Sequence, residues 1–178
     1  MVLGATFSFA HADAARLVYY NIVGSSASEL RHQLDSNRPL DKDGKRFDGH
    51  TDWRVTWTYR YEPAAEGCRF TEIHATVDGT IVLPRWTDGD HASNSLGRKW
   101  QAYAAALRVH EDGHYAHGVA AAKAIEDLGQ AFHVPGNCST IADAFNGRAN
   151  AIVEQYKGMD ATYDADTHHG QTQGAEFP

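Results

Sequence analysis

Residues 96–128, LGRKWQAYAAALRVHEDGHYAHGVAAAKAIEDL, decide how this chain is read. Trp100, Tyr103, Leu107, His110 and His114 follow one another at three- and four-residue steps, and Ala121, Ile125 and Leu128 resume the series. That is the period of one face of an α-helix. Ser93 or Ser95 stands ahead of it as an N-cap, and residues 129–137, GQAFHVPGN, break it. The spacing predicts a helix from Leu96 to about Leu128.

Inside that helix lies His110-Glu111-Asp112-Gly113-His114. Residues four apart share a helix face, one turn above each other. Two imidazoles so placed hold one Zn2+ at about 2.0–2.1 Å per nitrogen. Glu111 then stands beside the metal as the base that takes a proton from a water polarised by it. The competing reading is a solvated face with two unrelated histidines. It is disfavoured because the pair sits on the stripe that also carries Tyr103 and Leu107, where polar groups are costly unless partnered. His117 lies about 10 Å along the axis from His110, too far for all three to meet at one ion, so it reads as a surface or supporting residue. A catalytic zinc takes three protein ligands. The third must come from elsewhere: Glu154, or the group Asp164, Asp166, His168 and His169.

Working outward, Thr51 to Tyr61 (TDWRVTWTYRY) alternates cleanly, with Trp53, Val55, Trp57, Tyr59 and Tyr61 on one face. This is the strongest strand signal in the chain. A sugar-binding platform on its tryptophans is a distant alternative to a buried sheet face. Leu17 to Val23 reads as a strand, and Ser26-Ala27-Ser28-Glu29 opens a helix to about Asn37 with capping-box spacing. Arg69 to Leu83 reads as a partner strand, broken near Asp78-Gly79 and ended by Pro84. A second long helix starts near Ser139 or Thr140 with the stripe Ile141, Phe145, Ile152, Val153 and Tyr156. It ends at Gly158, before an irregular polar tail. The fold class is α+β: an antiparallel or mixed sheet in the first half packed on two long helices in the second.

The 178 residues suit one domain, 15–178, with a real core. The formal net charge is −7 with no basic cluster, which argues against nucleic acid as partner. No segment is apolar and long enough to span a bilayer. Residues 1–14 end in the A-x-A pattern Ala12-Asp13-Ala14 and read as the remainder of a secretory signal peptide cut before Ala15. The two cysteines, Cys68 and Cys138, are free thiols in a cytosolic protein and one disulfide in an exported one. Export to a periplasm or the outside is the expectation and agrees with the disulfide.

Tyr20-x-x-x-Gly24, Thr51-x-Trp53-x-Val55-x-Trp57 with Tyr59, Cys68, Pro84-x-Trp86, and Trp100-x-x-Tyr103-x-x-x-Leu107-x-x-His110-Glu111-x-Gly113-His114 form a series of motifs. It closes with Tyr163-Asp164-x-x-Thr167-x-His169-Gly170-x-x-Gln173-Gly174. In these the chain resembles a bacterial family of unknown function described as predicted secreted zinc-dependent proteases, from about Tyr20 to Gly174. The resemblance implies a zincin-like α+β domain, export and a protease activity, with the strand before the active-site helix, Arg69 to Leu83, at the sheet edge along the cleft, where an extended peptide could pair with it. It also implies that the tail returns to the active site, with His169 as third ligand and Asp164 the runner-up. His168 becomes a replaceable neighbour, and Tyr163 a candidate to hydrogen-bond the oxyanion.

The expected function is therefore a secreted or periplasmic peptidase holding one Zn2+ on His110, His114 and His169, with Glu111 as general base and a peptide or protein as substrate. The alternatives are a non-catalytic zinc-binding envelope protein and a zinc amidase acting on cell-wall peptides. The sequence is silent on oligomeric state and cleavage specificity.

Overall fold

The structure, a computed structural model, describes residues 14–40 and 44–178. The signal-peptide remnant expected at 1–14 falls, but for Ala14, outside the described residues. The described elements run β1 (Arg16–Ile22), α1 (Ala27–Asn37), β2 (His50–Ala64), β3 (Gly67–Trp86), α2 (Asn94–Ala131), β4 (His133–Val134) and α3 (Ile141–Thr167). The α+β mixture is as expected, but three α-helices pack with the sheet where the fold class counted two. The third is the eleven-residue α1, the helix expected from the capping box at Ser26 to about Asn37.

The sheet order is β1-β3-β2, with the short β4 added to β3 at Cys68 and Arg69. β1 runs parallel to β3, and β2 antiparallel to it from His50↔Val82 to Ala64↔Gly67. β3 is therefore the central strand, not the edge strand the sequence reading placed beside the cleft. It also passes through Asp78-Gly79 and Pro84 without a break, because β2 pairs Asp78 and Gly79 while β1 pairs Pro84 from the other side. Pro84 costs little there: its missing N–H is tolerated near a strand end.

α2 spans 38 residues, roughly 57 Å. It opens on Ser93, whose side chain accepts from the Leu96 N–H. Two apolar clusters grip it. Toward its start, Leu96, Tyr103 and Leu107 pack with Ile22, Leu30, Leu34, Ile81, Leu83 and Phe177. Toward its end, Ala121, Ala122 and Ile125 pack with Val55, Val77 and α3's Ile141, Phe145 and Ala149. Trp53, Trp57 and Tyr59 join this second cluster. The Trp57 indole donates to Asn146 on α3, so the tryptophan face is core rather than a sugar platform.

α3 does not stop at Gly158 but continues to Thr167. Glycine costs about 1 kcal/mol in a helix interior, and contacts further along offset it. The end comes at His168 and His169, both with positive φ (49° and 53°), where the His169 N–H reaches back to the Asp164 carbonyl. The chain then folds over α2 and buries Phe177 against Trp100 and Tyr103.

Two long-range ties fix this frame. Cys68 and Cys138 form a disulfide that joins β3 to the turn before α3, across 70 residues of chain. Asp48 accepts from Arg31 of α1 at 2.7 and 2.8 Å and from Tyr103 of α2 at 2.7 Å, while its carbonyl accepts from Tyr20 of β1. Burial alone would raise the Asp48 pKa. The hydrogen bonds from Arg31 and Tyr103 and the charges of Arg31 and Arg38 outweigh it and hold the carboxyl below the usual range.

Opening the disulfide with Cys138→Ser is expected to cost about 2–5 kcal/mol, read from urea denaturation under oxidising conditions. Asp48 has a depressed folded-state pKa, so its contribution is full above the unfolded value of about 3.9 and is lost as pH falls through the folded one. Asp48→Asn should therefore cost about 2–4 kcal/mol near neutral pH, with the gap from wild type narrowing in acid. Urea midpoints at about pH 7 and about pH 3 check it.

Candidate metal centre

His110, Glu111 and His114 sit on α2 at the seam between the two apolar clusters, only 2 %, 2 % and 8 % exposed. α3 crosses α2 at this point. The approach is set by Gly113: a Cβ there would lie 2.5 Å from the Tyr163 hydroxyl and 2.7 Å from its ring. The missing side chain lets the Tyr163 ring stack on His110 at 4.9 Å between centroids and meet His114 edge-on at 5.1 Å. The next residue of α3, Asp164, reaches both histidines, and Asp160, one turn earlier, reaches His114.

Three donor atoms converge. His110 Nε2 and His114 Nε2 are 3.2 Å apart, and Asp164 Oδ1 lies 3.2 Å from the first and 3.1 Å from the second. Four-coordinate zinc with bonds of about 2.0–2.1 Å needs ligand atoms roughly 3.3 Å apart, close to this triangle. Two imidazoles and one carboxylate suit Zn2+ by donor type and leave a position open. The electrostatics agree. Burial disfavours a charged His114, yet the hydrogen bonds to Asp160 and Asp164 and the nearby carboxylates push its pKa up to about 9. Burial likewise works against the Asp164 carboxylate, but the hydrogen bonds to His110 and His114 hold it well below the usual range. Carboxylates thus surround the imidazoles and favour positive charge on His114, a place that a cation could take over from the proton. His110, His114 and Asp164 fit a divalent cation.

The other nitrogens are also engaged. His114 Nδ1 is 3.0 Å from Asp160 Oδ1, and His110 Nδ1 is 3.0 Å from Gln173 Oε1. Asp160 further accepts from His117 at 2.6 Å and from the Trp53 indole at 2.7 Å.

Glu111 points into the same cleft. Its Oε2 lies 2.8 Å from the Thr51 hydroxyl at the start of β2, and its Oε1 packs so close to Gly49 that a Cβ there would meet it at 2.9 Å. Burial raises the Glu111 pKa, opposed in part by the Thr51 hydrogen bond and the two histidines. The cleft holds about 660 Å³ and is lined by residues including His50, Thr51, His110, Glu111, His114 and Asp164. Since β3 is internal, the strand bordering the cleft is β2 at His50–Asp52.

The residues expected from sequence fall out as follows. Asp164, not His169, completes the compact trio with His110 and His114. His169 stands half-exposed on the outer side, its Nδ1 3.2 Å from Asp164 Oδ1 and its ring against Phe47. His168 is exposed. Glu154 is exposed and pairs with Lys157. Tyr163 stacks on His110, and its hydroxyl meets the Gln173 amide. His117 supports through Asp160. Asp160, Thr51 and Gln173 were missed as site residues. The i, i+4 spacing of Asp160 and Asp164 was the available signal, hidden by ending α3 at Gly158.

Fold and site together define a mixed α+β domain with a His-His-Asp centre on a long helix, beside a buried glutamate. The chain belongs to the family of bacterial proteins of unknown function (DUF922), which it matches over residues 17–170. No curated protein and no solved structure matches it.

Alanine at Gly113 and at Gly158 should act with opposite signs. Gly113→Ala drives a methyl into Tyr163 and is expected to cost about 1–3 kcal/mol despite alanine's better helix propensity. Gly158 has nothing within 4 Å of such a methyl, so Gly158→Ala should gain about 0.4–1 kcal/mol. Thermal denaturation of the two variants reads both.

Proposed function

We propose that this chain is an exported zinc-dependent peptidase, with His110, His114 and Asp164 as metal ligands and Glu111 as general base. The observation that carries the reading is the convergence of His110 Nε2, His114 Nε2 and Asp164 Oδ1 within 3.2 Å of one another, with the Glu111 carboxylate buried in the same cleft. When bound, zinc supplies Lewis acidity, polarising a carbonyl and bringing the pKa of a water to about 7.

The remaining work falls to the chain. Glu111 accepts the proton of the attacking water and returns it to the leaving amine. Its raised pKa suits both steps, because a base is most effective when its pKa lies nearer the working pH. Thr51 holds Oε2 of the carboxylate, and Gly49 makes room for Oε1. Among the described residues β2 is an edge strand, and at His50–Asp52 it offers backbone groups to an extended peptide. The disulfide supports export, since such bonds persist in oxidising compartments.

Glu111→Gln should retain stoichiometric zinc while peptide hydrolysis falls by about 10²–10⁴-fold. Asp164→Ala should lose zinc, whereas His169→Ala should keep it; elemental analysis after dialysis reads both. Retained turnover in Glu111→Gln defeats the mechanism. Zinc without cleavage of any peptide library would make the chain a metal-binding envelope protein, and activity on purified cell wall but not on casein would make it an amidase.

A further inference from the structure

The groups behind the two imidazoles matter as much as the three donors in front. A neutral imidazole has one N–H and one lone pair, and the partner of one nitrogen decides which form the other takes. Behind His114 is Asp160, whose carboxylate only accepts. Behind His110 is Gln173, whose Oε1 lies 3.0 Å from Nδ1 and whose amide nitrogen donates to the Tyr163 hydroxyl at 2.9 Å. With a cation bound, both histidines would then be Nδ1–H donors and would turn their Nε2 lone pairs to the ion beside Asp164.

The two clamps come from separate parts of the chain. Asp160 belongs to α3 and is held by Trp53 of β2 and by His117. Gln173 belongs to the tail, whose course is fixed by the buried Phe177 and by Thr167. The Thr167 hydroxyl donates to the Tyr163 carbonyl and accepts from the Gly170 N–H.

Resting on the zinc reading above, we propose that Asp160 and Gln173 are paired positioning residues that fix the tautomers of His114 and His110 and thereby set the affinity for the cation. His114, His117 and Asp160 also lie close enough together to hold an ion. A second cation there is excluded while the first is bound, because His114 would have to give up both of its protons. The two clamps differ in charge. The Asp160 carboxylate makes His114 the more basic ligand, while the neutral Gln173 leaves room to strengthen His110.

The test is zinc affinity of the full chain, measured by competition with a chromophoric chelator. Gln173→Ala and Asp160→Ala should each weaken zinc by 10–100-fold, the usual effect of losing such a partner. Gln173→Glu keeps the acceptor and adds charge, so its affinity should equal or exceed that of the wild type. In the zinc-loaded protein the slowly exchanging imidazole Nδ1–H resonances should include those of both ligands, with the His110 signal lost in Gln173→Ala only. Gln173 is exposed, so its variants are expected to fold even if Asp160→Ala does not. Equal affinity of folded Gln173→Ala and wild type overturns the inference, as does equal loss in Gln173→Ala and Gln173→Glu. A wild type that binds no zinc instead defeats the reading on which the inference rests.

Discussion

Two imidazoles and a carboxylate cannot be buried on one helix face unless each polar atom finds a partner. That constraint organises this protein. α2 carries His110, Glu111 and His114 into the seam between two apolar clusters, and every other element near the seam delivers a partner. α3 brings Asp160 and Asp164, the tail brings Gln173, and β2 brings Thr51. The apolar packing on either side holds these partners in place. It also excludes water, so each charge interaction at the centre counts for more than it would at the surface.

The frame around the centre follows from the same need for precision. Asp48 joins β1, α1 and α2 at the residue just before Gly49, where β2 begins to border the cleft. The disulfide secures the entry to α3. Phe177 secures the far end of the tail. Side chains that meet the histidines are thus anchored from three directions. The proposed metal site would need such support, because ligands placed a fraction of an ångström wrong lose much of their affinity.

The donor geometry has a chemical consequence. Asp164 is about one-third exposed, while His110 and His114 are almost wholly covered. The centre is therefore open on the carboxylate side and closed behind the imidazoles by Tyr163. Glu111 shares the open side, so its carboxylate and that of Asp164 face the same cleft.

Much of this was legible in the sequence. Period and capping gave α2, and strict alternation gave β2. The pairing of His110 and His114 on one face followed from four-residue spacing alone. The motif also placed Glu111. These are local properties: helix and strand periods depend on neighbours within a few residues, and a few residues of sequence suffice to read them. The third donor was not local. His169 and Asp164 are five residues apart, and which one meets the histidines depends on whether α3 continues past Gly158. Only tertiary packing decided that, because the glycine's helical cost is offset by contacts with α2 that no window of sequence contains. The same holds for the central place of β3, for Gln173 behind His110 and for the joining of Cys68 to Cys138. Each depends on which surfaces the folded chain brings together.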